Sequence, residues 1–131
     1  MFSIRFGNSL GSTVGALSVW ASLAAAGACI AQTPAPDFEA SPEVYKVRGE
    51  NDKFRVVEGT WKPGQRDQFH SHPAMGYYWL TDCNARIHLP EGGYRDLNLS
   101  AGTSGTQAPV YSHAVENIGK SDCRIVMFEQ K

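Results

Sequence analysis

From residue 44 onward, short runs of β-branched and aromatic residues recur at intervals of about 8 to 12 residues, each closed by a turn signal. "VYKVRG" (44–49) gives way to "KFRVVEGTW" (53–61) through Gly49-Glu50-Asn51-Asp52, and Lys62-Pro63-Gly64 then leads into "QFHSH" (68–72). "YYWLT" (77–81), "ARIHL" (85–89) and "YRDLNL" (94–99) follow, the last two joined by Pro90-Glu91-Gly92-Gly93. "SHAVEN" (112–117) and "CRIVMFE" (123–129) close the chain around a turn at Ile118-Gly119-Lys120-Ser121-Asp122. No run after residue 43 sustains a helical period. Eight or nine short strands in so little chain can bury their inner faces only as a sandwich or barrel. The pattern predicts one all-β domain over 44–131, with the Gly-rich "SAGTSGTQAP" (100–109) as a turn region.

The preceding residues are of another kind. Residues 1–31 carry a single charge, Arg5, ahead of an apolar stretch from about Val14 to Ile30. Cys29-Ile30-Ala31 fits the small-x-small rule for cleavage before Gln32, so the segment reads as a secretory signal peptide and the protein as exported, periplasmic or secreted. Two other readings stay open: a retained membrane anchor, because the apolar stretch is at the lower limit for spanning, and lipidation at Cys29. Residues 32–43, "QTPAPDFEASPE", read as a polar, Pro-rich linker or loosely docked arm. Twelve basic and 13 acidic residues, spread without runs, provide no basic patch for nucleic acid or an anionic membrane surface.

The chemistry-bearing residues lie in "DQFHSHPAMGYYW" (67–79). On a strand, Gln68, His70 and His72 share one face, and two imidazoles side by side suit Fe, Zn, Cu, Ni or, with oxygen ligands, Mn. A solvent-facing pair is the plain alternative for an isolated H-x-H. Forty-one residues beyond His72, "PVYSHAVEN" (109–117) puts His113, Val115 and Asn117 on one face and Glu116 on the other. Asp67 and Arg66 are expected as solvated charges at the entrance to the strand, and His88 as an exposed strand residue.

Together these two segments resemble the motifs of a small single-domain cupin. Gly64, His70 and His72 match its first motif, G-x5-H-x-H followed three or four residues later by Glu. Pro109, His113 and Asn117 match its second, which ends in H-x3-N. The resemblance covers nearly all of residues 44–130. It implies a double-stranded β-helix, or jelly-roll barrel, with the two motifs on facing strands and His70, His72 and His113 converging on a divalent transition metal. Iron is the ion it favours, with Zn, Mn, Ni or Cu as alternatives. The chain departs from the motif at the glutamate, where it has Gly76 in the three-residue spacing or Tyr77 in the four-residue one. The three-residue spacing aligns the following strand better. Either way the carboxylate ligand is missing, which leaves a neutral three-histidine set with positions open for water or substrate. Gln68, Tyr77 and Tyr78 are the candidates for a fourth ligand or for residues that orient the site.

With the signal removed, Cys83 and Cys123 remain, and export permits a disulfide between them. The resemblance places Cys83 at the end of one strand and Cys123 at the start of an antiparallel neighbour, which makes such a bond geometrically reasonable. It also implies two functional classes. One is a mononuclear, dioxygenase-like oxidoreductase acting on a small organic molecule, since three-histidine iron sites occur among cupin-related dioxygenases. The other is a non-catalytic module that binds metal or a small ligand. A homodimer is a further expectation from the resemblance.

Overall fold

The computed structural model describes residues 33–131. A single turn of helix, α1 (Asp37–Ala40), precedes nine strands: β1 (Tyr45–Glu50), β2 (Phe54–Trp61), β3 (His70–His72), β4 (Met75–Trp79), β5 (Cys83–His88), β6 (Tyr94–Leu99), β7 (Ser104–Gln107), β8 (Val110–Asn117) and β9 (Cys123–Gln130). They form two antiparallel sheets, ordered β1-β2-β9-β4-β7 and β3-β8-β5-β6. The signal segment expected over residues 1–31, with its cleavage site, lies outside the described residues. Among the described residues no helix is long and apolar enough to cross a membrane.

Alternation decides what each strand buries. On β2, Val57, Gly59 and Trp61 point inward; on β9, Cys123, Ile125, Met127 and Glu129 do so. Ala85 and Ile87 from β5 and Val115 from β8 meet them from the other sheet. Trp61 stacks on Trp79 with ring centroids 6.3 Å apart, and Tyr45 meets Trp61 edge-on at 5.2 Å. Gly59 is required here. A Cβ at that position would stand 2.9 Å from the Trp61 ring and 3.0 Å from Ile125, so a side chain would displace the indole. The turn into the site is equally specified: Gln65 N donates to the Lys62 carbonyl, and Gly64 takes φ 77° after Pro63, the arrangement that a Pro-Gly turn favours.

Several expectations need correction. The sheets face each other as a double-stranded β-helix but are not closed into a barrel. The two histidine strands are hydrogen-bonded neighbours rather than facing strands, with His70 the register partner of His113. "SAGTSGTQAP" is not all turn: Ser104–Gln107 pair with β4 as its edge strand, where Gly105 admits the Tyr77 ring against a side-chain-free backbone. Cys83 and Cys123 do form a disulfide, with Cα atoms 5.0 Å apart. Their strands are not neighbours in one sheet, however, and the bond ties the four-stranded sheet to the five-stranded one.

The stretch expected as a loose arm is packed. Ser71 N donates to the Ala35 carbonyl and Ser71 Oγ to that of Pro34, so residues 34–36 cover the open edge of β3. Ser41 Oγ accepts from Gln68 N, and the Arg55 guanidinium lies 4.2 Å from the centre of the Phe38 ring. These contacts carry Asp37 into the interior, where it is fully buried.

Candidate metal centre

β3 and β8 bring three imidazoles to one point between the sheets. His70 Nε2 lies 2.9 Å from His72 Nε2 and 3.0 Å from His113 Nε2. The register slips between His70 and His72, where β8 carries one extra residue, and this bulge lets both histidines of β3 turn toward His113. His70 and His72 are buried and His113 is half-buried. Burial, with the neighbouring imidazoles adding to it, lowers His72 and His113 to about 3; Arg95 is a further cause at His113. Both rings are therefore neutral at ordinary pH.

The outer nitrogens fix which inner nitrogens carry lone pairs. His70 Nδ1 donates to the Gln68 carbonyl at 2.7 Å, and His72 Nδ1 donates to Glu129 Oε1 at 2.9 Å. With its one proton on Nδ1, neutral His72 keeps the Nε2 lone pair free, and His70 turns its own Nε2 toward it. The Tyr45 oxygen, whose own proton goes to Asp67 Oδ2 at 2.8 Å, adds another lone pair 3.2 Å from His70 Nε2. Three imidazole nitrogens and a tyrosine oxygen directed at one point of a buried site form a donor set that a cation can bridge. Two nitrogens about 2.1 Å from a first-row ion and at right angles stand about 3 Å apart, close to the spacing seen here. The donor set thus fits a divalent metal.

Carboxylates surround the imidazoles from behind. Asp67 Oδ1 is 3.6 Å from His70 Nδ1. It is not the solvated charge expected from the sequence: it is buried, and it accepts hydrogen bonds from Tyr45 Oη, Trp61 Nε1 and Val115 N. Those donors join β1, β2 and β8, so the chain builds a knot around this one side chain. Asp37 Oδ2 is 3.8 Å from His72 Nδ1, on the same side as Glu129. Among the described residues, neither Asp37 oxygen nor Glu129 Oε2 has a hydrogen-bond partner. Burial raises both carboxyls to about 7, and at Asp37 the charge of Glu129 adds to the rise. Asp67 is also raised by burial, against the pull of His70 and its donors, and Tyr45 is pushed well above 10, mainly by burial. Buried carboxyl groups thus stand one layer behind the imidazoles, where Gly76 and Tyr77 supply none in front.

The other candidates fall in different places. Gln68 is exposed and precedes β3, so strand alternation does not reach it; it serves the site through its backbone carbonyl. Tyr77 lines a cavity of about 110 Å³ beside His72 and His113, together with Met75 and Trp79. Gly76 and Tyr78, between them on β4, face outward, so the inward position is the one at four-residue spacing. Asn117 is structural: its Nδ2 donates to the carbonyls of Trp61 and Ser121, and its Oδ1 accepts from Gly119 N. His88 is half-buried and pairs with Glu116 at 2.8 Å across β5 and β8, away from the metal face.

No family model matches the chain, and no curated protein matches it either. Solved structures do. A cupin domain from Bordetella pertussis Tohama I superposes with a TM-score of 0.62 at 25% identity, over 67% of this chain and 92% of that one. The chain has the cupin fold. A double-stranded β-helix protein from Klebsiella pneumoniae MGH 78578 agrees at a TM-score of 0.54 and 24% identity, over 66% of this chain and 75% of that one. A cupin superfamily protein from Desulfitobacterium hafniense DCB-2 shares the fold at 10% identity and a TM-score of 0.50. The three-histidine group set between the two sheets is compatible with a divalent metal site in a cupin.

Proposed function

We propose that this cupin binds one divalent first-row metal through His70, His72 and His113 and acts as a dioxygenase-like oxidoreductase on a small organic molecule. The observation that carries the reading is the convergence of three imidazoles, with His70 Nε2 2.9 Å from that of His72 and 3.0 Å from that of His113, backed by buried carboxyl groups. When bound, a redox-active ion, iron foremost, supplies electron exchange and Lewis acidity. The chain supplies the rest. Gln68 O and Glu129 fix the tautomers of His70 and His72, Asp67 holds Tyr45 beside them, and an aromatic wall keeps water from the inner end of the cavity. The disulfide supports an exported, periplasmic or secreted location. Phe54, Tyr78 and Phe128, exposed on the outer face of the five-stranded sheet, support a homodimer.

One observation favours the second reading, a non-catalytic module for metal or a small ligand. The longest connection between described strands, residues 62–69, is short, so no inserted loop covers the cavity mouth against water. Elemental analysis of protein purified without chelator or affinity metal, beside a His70→Ala/His113→Ala variant, tests the site. Near-stoichiometric iron that the variant loses, with oxygen uptake in a substrate screen, is the expected result. Stoichiometric zinc without oxygen uptake favours the binding module. Absence of metal even after reconstitution overturns the metal site.

A further inference from the structure

β6 carries a charge where its alternation calls for an apolar residue. Leu99, Leu97 and Arg95 pair with Cys83, Ala85 and Ile87 of β5, all three buried, so the three β6 residues share the inward face. Arg95 accordingly lines the cavity that His72 and His113 close at its other side, and its charge is among the causes that lower His113. Among the described residues the guanidinium has no hydrogen-bonded or ion-paired partner. The adjacent acid, Asp96, is on the other face and holds Arg86 in a two-pronged pair at 2.7 and 2.9 Å. Apart from Arg95, the histidines, Gln107 and the hydroxyls of Tyr45 and Tyr77, the walls are apolar or aromatic.

An unpaired guanidinium over an apolar cavity defines a complement: one anionic head and a compact apolar body. Arginine presents parallel N–H groups that match a carboxylate, and Gln107 offers an amide on the same cavity. A volume of about 110 Å³ admits a body of roughly one six-membered ring. We propose that the ligand is a small monocarboxylic acid, its carboxylate held by Arg95 and its apolar body extending toward the histidines. This deepens the metal-site reading and rests on it for the identity of the reacting end, though not for the Arg95 contact itself.

Calorimetric titration of metal-free and zinc-loaded protein with sodium benzoate and with benzamide, its neutral isostere, tests the inference. The metal-free protein should bind benzoate saturably and at least about tenfold more tightly than benzamide, because only the carboxylate forms the charge-assisted pair. Arg95→Gln should abolish that difference with an unchanged melting temperature, since the residue is exposed, and Arg95→Lys should restore part of it. Equal binding of the two compounds, no saturable binding of either, or a preference that survives Arg95→Gln would each overturn it. Benzoate binding that requires zinc and ignores Arg95 also overturns it while leaving the metal site intact. Conversely, an Arg95-dependent preference in a protein that never takes up zinc sustains the acid site and sinks the metal reading.

Discussion

At the residue scale, the site depends on groups that touch the histidines from behind. Glu129 holds the Nδ1 proton of His72, which fixes the lone pair on Nε2 and sets a carboxyl group behind the histidines. Glu129→Gln preserves an acceptor oxygen but removes the group that can ionise. It should leave the metal-free fold intact by circular dichroism and weaken metal affinity about 10- to 100-fold, read by competition against a chromophoric chelator. An affinity within twofold of the native protein would show that this carboxyl merely fills space. The histidines themselves were legible in the sequence because ligand spacing is local: His70 and His72 share a strand face, and His113 sits in a second short motif. Asp37 and Glu129 were not, because one lies in a Pro-rich arm and the other is the last inward residue of an ordinary strand. Only folding brings them together, 92 residues apart in the chain. Arg95 had a signal that could have been used, an R-x-L-x-L alternation with the charge on the apolar face.

At the scale of elements, the five-stranded sheet is tied across its outer face by Glu58 on β2. Its carboxylate pairs with Arg48 of β1 at 2.9 Å and Arg124 of β9 at 2.6 Å. The Arg124 hydrogen bond, then that of Arg48, lowers the Glu58 carboxyl below its ordinary value. A carboxyl lowered by folding stabilises the native state above its unfolded value near 4.5, and the contribution fades as pH falls through the folded value. Glu58→Gln should therefore cost about 0–1 kcal/mol at pH 7, the range for exposed ion pairs. In urea melts at a series of pH values the gap from the native protein should narrow as pH falls below the unfolded value and vanish below the folded one. A gap that persists in acid would mean that packing, not charge, holds the three strands. Elements with strong alternation, such as β2, β5 and β9, were readable from sequence. The short β7 was not, because glycine and serine carry turn signals whatever their partners, and its strand character comes from pairing with β4. The arm over β3 was missed for a similar reason: Pro-rich composition reports local stiffness, not whether a neighbour has an open edge to be covered.

At the scale of the whole molecule, what holds the site together is the closure of one sheet over the other. His72 on the four-stranded sheet meets Glu129 on the five-stranded one, so any separation of the sheets opens the candidate metal centre. The Cys83–Cys123 disulfide is a covalent tie between the same two sheets, formed between residues 40 apart in sequence. Both cysteines belong to the buried apolar cluster that includes Trp79, Ala85 and Ile125. Restricting an unfolded loop of that length contributes about 4 kcal/mol in the chain-entropy model, with strain and residual structure reducing the figure in practice. Cys83→Ser/Cys123→Ser should therefore lower stability by about 2–4 kcal/mol in denaturant, while the folded fraction keeps its metal affinity. Serine leaves two small hydroxyls in place of buried sulfur, so a Cys83→Ala/Cys123→Ala pair separates the lost cross-link from the cost of a buried polar atom. If the alanine pair is as stable as the native protein, the bond adds nothing to a fold already closed by its core. If either pair loses metal affinity in its folded fraction, the tie between the sheets sets the geometry of the histidines as well as the stability of the chain.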